Sequence, residues 1–271
     1  MTTHDLPLER IGDPGAARRV LLVHGLLASG RNLRSLARTL VRDGQEGEAL
    51  LVDLPGHGAA PALGRTSDVT TVSGCADVVA RVVGELGVPV QRVIGHSFGG
   101  KVSLLLAERL PELEHVWTLD TRLDTDPAWR TRSDVAPVMR ALRGARLAHR
   151  DRQAVAKDLE QHGLPRRVAE WLTTNLARQD DGFRWVFDLD QIEALTDDYF
   201  ALDSLARLEA RSGGPRVHLL RAEQGDRWTE EALTRARALH DKGVELHLLE
   251  GAGHWVHADN LPGLVALLRR G

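Results

Sequence analysis

The chain has 271 residues, 42% hydrophobic and 27% charged, a balance that suits one soluble globular core with room for an insertion. A formal net charge of −3 lacks the basic excess expected of a nucleic-acid binder, and no apolar run approaches the length of a membrane span. One cysteine excludes an intrachain disulfide, and the opening residues lack the charged-then-apolar build of a secretory signal, so a cytoplasmic protein is expected.

In chain order, Arg19 to Val23 reads as a buried strand ending at His24-Gly25, followed by a helix from Asn32 to Val41 with Leu33, Leu36, Ala37 and Leu40 on one face. Ala49 to Asp53 is the next strand, closed by the turn Pro55-Gly56-His57-Gly58. Thr70 to Leu86 carries a single apolar stripe of Val72, Cys75, Val79, Val82 and Leu86, which makes Cys75 a small core residue rather than a reactive thiol. Strand Gln91 to Gly95 runs through Ser97 into a helix from Phe98 to Leu110, and strand His115 to Leu119 ends at Asp120. The alternation then breaks. Polar helical segments without a convincing buried strand fill residues 121–208. Alternation returns with strand Arg216 to Arg221, helix Thr229 to His240, strand Val244 to Leu249 and helix Leu261 to Arg269. The pattern predicts an α/β fold, a mostly parallel sheet flanked by helices, with residues 1–120 and 209–271 as its core and 121–208 as a helical cap.

Gly95-His96-Ser97-Phe98-Gly99-Gly100 matches G-x-S-x-G in the setting that motif requires, a buried strand before it and a helix after it. A serine held on so sharp a turn needs small neighbours two positions away on either side, and Gly95 and Gly99 supply them. The turn lifts the hydroxyl above the sheet near the positive end of the next helix. Ser97 is therefore the candidate nucleophile. A glycine-rich strand–helix connection with an incidental serine is the bland alternative.

This nucleophile segment, with Gly253-His254-Trp255-Val256-His257-Ala258, resembles the α/β-hydrolase superfamily, and more narrowly its small abhydrolase-type bacterial esterases. His24-Gly25-Leu26-Leu27-Ala28-Ser29 resembles the family's oxyanion loop, Val52 to Gly58 its following strand and turn, and Phe183-Arg184-Trp185 with Asp188-Leu189-Asp190 a segment of its cap. The resemblance covers most of the chain and implies the order serine, acid, histidine. His254, in the loop after the last strand, is then the general base, since imidazole can take a serine proton near neutral pH. His257, three residues on, is the rival and reads as structural or pocket-lining. The two lack the spacing and carboxylate of a metal site, and no metal or cofactor is expected. His24, His57 and His96 sit in tight turns that suit structural hydrogen bonds.

Most superfamily members take the acid from the loop after the penultimate strand, here Arg221 to Asp226. The expected position holds Gly225, with Asp226 one residue late and Glu223 early. Asp120, 23 residues beyond Ser97, occupies a second location known in the superfamily, at a strand end that faces the ligand crevice of α/β proteins. Asp120 is preferred and Asp226 is the alternative. Backbone N–H groups of Leu26 and Phe98 are the expected oxyanion donors, with Leu27 as substitute if the loop register differs by one.

The expected activity is hydrolysis of a small carboxylic ester or thioester through an acyl-enzyme on Ser97. The alternatives are another reaction of the same triad, such as C–C bond hydrolysis, perhydrolysis or lyase chemistry, or a ligand-binding homologue with an idle triad. Dehalogenase and epoxide-hydrolase chemistry is disfavoured, because such relatives carry aspartate at the place of Ser97. Aromatic residues of the insertion, among them Trp129, Trp171 and Tyr199, could line an acyl pocket or form its own core. Residues 122–152 hold eight arginines against four aspartates, while 153–203 hold five basic and eleven acidic residues. Two helical faces paired with each other and with water, or a basic rim for an anionic substrate, would account for that division. Oligomeric state is left open.

Overall fold

The apolar runs of the sequence become strands because each finds cover on both sides. A computed structural model describes residues 6–60, 67–145, 151–180 and 182–270. Its strands are β1 (Leu8–Gly12), β2 (Arg19–Val23), β3 (Glu48–Val52), β4 (Arg92–His96), β5 (His115–Leu119), β6 (Leu176–Gln179), β7 (Gly182–Trp185), β8 (Arg216–Ala222) and β9 (Val244–Leu249). Seven of them form one sheet in the order β1-β3-β2-β4-β5-β8-β9. β1 lies antiparallel on β3, and every other neighbouring pair in that sheet is parallel.

β2, β3 and β4 are buried at all five positions, as parallel strands with both faces covered must be. Side-chain alternation divides each strand between two cores. Leu21, Val23, Val93 and Val116 face the helices Val72–Glu85 and Phe98–Leu106. Leu22, Leu51, Ile94 and Trp117 face the helices Arg34–Arg42 and Leu261–Leu268. Cys75 lies fully buried on its helix among the first group, and burial pushes its thiol pKa up.

Several elements differ from expectation for local reasons. β1 was not anticipated, because Leu8–Gly12 mixes charged and apolar residues on a half-exposed edge. The helix expected over Thr70 to Leu86 restarts at Thr71, whose hydroxyl accepts from the N–H of Gly74 at 3.0 Å and caps Val72–Glu85. β4 runs one residue later than read and brings His96 to the turn.

Between β5 and β8 lie helices Trp129–Arg132, Val135–Gly144, Arg152–Gln161, Arg166–Leu172, Leu189–Ala201 and Ser204–Ala210. The antiparallel hairpin β6–β7 stands among them. It escaped the sequence reading because Leu176 is its one buried residue. Most insertion aromatics pack within this segment or onto the sheet core: Trp129 stacks on Phe200 at 5.2 Å, and Tyr199 lies 5.8 Å from Phe98.

Candidate active site

β4 delivers the chain to Ser97, which carries the left-handed backbone angles φ 53° and ψ −115° before the helix Phe98–Leu106 begins. The glycines around it are sterically required. A Cβ on Gly95 would stand 2.1 Å from the Gly99 carbonyl oxygen, and one on Gly99 would stand 2.4 Å from that of Val23. The strained turn is clamped to the end of β5: the Ser97 N–H donates to the Leu119 carbonyl at 2.9 Å, and Thr121 Oγ1 donates to the Ser97 carbonyl at 3.0 Å.

β5 ends at Asp120, another left-handed residue (φ 46°), and one of a type that tolerates that region. Its side chain is fully buried. Oδ1 accepts the N–H of Ala222 at 3.0 Å, which aims Oδ2 at the loop after β9. There His254 Nδ1 lies 2.8 Å from Asp120 Oδ2. His96 Nε2 donates to the His254 carbonyl at 2.8 Å and fixes that loop against the turn. Burial, opposed by the Ala222 N–H and by Arg227, pushes the Asp120 carboxyl up to about 6. Burial together with Arg227 holds the His254 imidazole well below its usual range. The bonds of His254 described here run to Asp120 and Arg227 rather than to Ser97 Oγ, a link that commonly tightens only once substrate is bound.

Ser97 and His254 line one cavity of about 960 Å3, as do Leu26 and Leu27 of the loop after β2. Gly25 in that loop packs against the elbow; a Cβ there would lie 3.3 Å from Ser97 Cβ. Leu27 is left-handed as well (φ 57°), and Asn175 Nδ2 from the insertion donates to its carbonyl at 2.8 Å. Phe98 opens its helix, where first-turn N–H groups have no intrahelical acceptor. His257 lies beside His96, their ring centroids 4.9 Å apart, and also lines the cavity. His24 and His57 make local bonds: His24 Nε2 accepts from the Leu54 N–H at 2.9 Å, and His57 Nδ1 donates to the Pro55 carbonyl at 3.0 Å.

The alternative acid is placed differently. Asp226 is exposed and makes no described hydrogen bond to His254. Gly225, where the acid was first sought, packs against Asp120, and a Cβ on it would lie 3.0 Å from Oδ1. The loop after β8 therefore converges on the point already filled by the carboxylate from β5.

Its next residues held a feature the sequence reading missed. Arg227 is buried with Nε 2.7 Å from His254 Nδ1 and 3.8 Å from Asp120 Oδ2, while its other end grips Asp134 of the insertion with Nη1 at 3.0 Å from Oδ1. A single Nδ1 cannot donate to Asp120 and accept from Arg227 at once, so the two neighbours favour opposite tautomers. In sequence Arg227 is one more arginine, just beyond the loop Arg221 to Asp226, and its partner lies 93 residues away. Lys101 was likewise unforeseen. It is fully buried, donating to the carbonyls of Tyr199 (2.7 Å) and Leu202 (2.5 Å), which ties the nucleophile helix to the insertion.

The insertion supplies the apolar wall of the cavity through Val135, Val138, Val168 and Trp171. Its arginines are otherwise engaged. Arg122 pairs with Asp124 at 3.0 Å, Arg130 with Asp197 at 2.6 Å and Arg143 with Glu193 at 2.8 Å. Arg132 approaches Asp126 at 3.5 Å, and Arg140 and Arg152 donate to carbonyls. Arg146 and Arg150 lie outside the described residues. Arg130 and Arg143 thus pair across to the acidic half, while Arg122 and Arg132 pair with aspartates of their own half. Around His254 and His257 the described residues bring no three ligand atoms close enough together to hold an ion.

Comparison with known proteins bears on the fold and on the class of activity. The model of a family described as the Alpha/beta hydrolase family matches residues 20–267. The chain is 28% identical to an sn-1-specific diacylglycerol lipase of Xenopus tropicalis over 89% of this chain and 73% of that one. It is also 28% identical to an esterase of Mycobacterium tuberculosis over 94% and 83%, and 26% identical to the esterase YbfF of Escherichia coli over 93% and 91%. Among solved structures, a marine microorganism esterase superposes with a TM-score of 0.81 at 20% identity, covering 98% of each chain.

Proposed function

The chain belongs to the alpha/beta hydrolase family, and from that premise we propose that it is a serine hydrolase of carboxylic esters or thioesters. The observation that carries the reading is the 2.8 Å contact between His254 Nδ1 and the buried Asp120 carboxylate, behind the cavity that Ser97 and His254 line. Relatives named as esterases and lipases support the same class.

In this mechanism Ser97 Oγ attacks the substrate carbonyl while His254 Nε2 takes its proton. Asp120 accepts from Nδ1–H, holding the productive tautomer and stabilising the imidazolium that forms. The N–H groups of Phe98 and Leu26 receive the oxyanion. His254 then returns the proton to the leaving oxygen or sulfur, and an acyl group stays on Ser97. Water, deprotonated by His254, attacks that ester and regenerates the serine. Residues 121–208 act as a cap whose Val135, Val138, Val168 and Trp171 receive the acyl chain.

A panel of p-nitrophenyl esters tests the reading. Each methylene entering the apolar wall should contribute about 0.8 kcal/mol, roughly fourfold in kcat/KM, until the cavity is filled. Binding of the esters without turnover would sink the enzyme reading and favour a ligand-binding homologue.

A further inference from the structure

A second cluster lies away from the serine site, on strands β8 and β9. The strands are parallel with His218 opposite Glu245, and His247 follows Glu245 by two residues, so all three side chains share one face of the sheet. His218 Nδ1 stands 3.1 Å from His247 Nε2. Glu245 Oε2 lies 3.7 Å from the first and 3.8 Å from the second. Ligands bound at about 2.0–2.2 Å in a tetrahedron stand roughly 3.3–3.6 Å apart, so the three atoms already surround a space of metal-ion size. We propose that His218, Glu245 and His247 bind one divalent first-row transition-metal ion, Zn2+ being the ion best matched to two imidazoles and a carboxylate.

The surrounding contacts favour ligation over a chance cluster. His218 Nε2 faces His115 Nδ1 at 3.1 Å. Either ring can donate across that contact; with His218 Nε2–H as the donor, its Nδ1 is left with a lone pair, as an outer partner of a metal-binding histidine arranges. Without an ion, His247 Nε2–H donates to that lone pair. With one, the His247 proton moves to Nδ1 and both imidazoles stay neutral. Trp117 stacks on His218 at 4.2 Å and on His247 at 4.8 Å, holding both rings in place. His218 is buried, whereas the Glu245 side chain is 39% exposed, so solvent reaches the open side and water completes the shell. Arg92, Arg216 and Arg270 oppose a cation here. Arg92 is offset by Glu46 at 3.1 Å, and Arg216 meets Glu245 through the other oxygen, Oε1, at 3.4 Å. None of the three ligands lines the serine cavity. The ion would tie the edge strand β9 to β8, and the folded chain would be stabilised by mass action.

Equilibrium dialysis of the tag-free, chelator-treated full chain against ZnCl2, with melting followed in parallel, tests the site. The expected result is one ion per chain and a rise in Tm on adding zinc. His247→Gln and Glu245→Gln should each weaken binding at least tenfold and abolish the rise, and His254→Ala should retain both. If His247→Gln fails to fold, the half-exposed Glu245→Gln carries the comparison. Binding that survives Glu245→Gln and His247→Gln, binding lost with His254→Ala, or no binding in the micromolar range would each overturn the proposal.

Discussion

Leu27, Ser97 and Asp120 are the described non-glycine residues with left-handed backbone, and they follow β2, β4 and β5 at one end of the sheet. Such conformations cost on the order of 1–3 kcal/mol each and persist where function needs them. On the proposed mechanism, catalysis requires Asp120 ionised and His254 neutral. Asp120 has a raised folded pKa, about 6, so it gains its proton as pH falls through that value and stops accepting from Nδ1. The pH profile of kcat/KM should therefore be flat above about pH 6 and fall below it. Arg227 lowers the pKa of both groups. In Arg227→Met the acid limb should move to higher pH; an unmoved limb would reduce Arg227 to a tether for Asp134. The acid itself separates by substitution. Asp120→Asn should lose on the order of 10⁴ in kcat with the fold intact, and Asp226→Asn should lose little. The reverse order would return the role to the loop after β8.

At the scale of elements, the elbow was legible because its chemistry is local: strand, serine, glycines and helix are contiguous in sequence. Gly99→Ala should abolish activity and lower Tm, since its Cβ would sit 2.5 Å from the His24 carbonyl in the neighbouring loop. A variant with native Tm and rate would refute that close packing. What stayed illegible was pairing across long separations. β1 and the hairpin β6–β7 take their stability from partners rather than from apolar periodicity. The convergence of β5 and β8 on Asp120 appeared in sequence only as a missing acid at Gly225. Nothing in the sequence marks Arg227 or Lys101 as buried, because burial of a cation is decided by the carbonyls and carboxylates that surround it.

Across the whole molecule, a sheet covered on both faces carries the candidate machinery at one end, and residues of the long segment between β5 and β8 line the cavity there. Among the described residues no helix is long and apolar enough to cross a membrane. Lys101 and the Arg227–Asp134 pair join that segment to the nucleophile helix and to His254. All of this rests on an activated serine. The most direct test is mass spectrometry of the intact chain after treatment with a fluorophosphonate. An activated Ser97 should give a single adduct mapping to that residue, no adduct in Ser97→Ala, and loss of ester turnover in that variant by on the order of 10⁶. Labelling or turnover that persists in Ser97→Ala would contradict it.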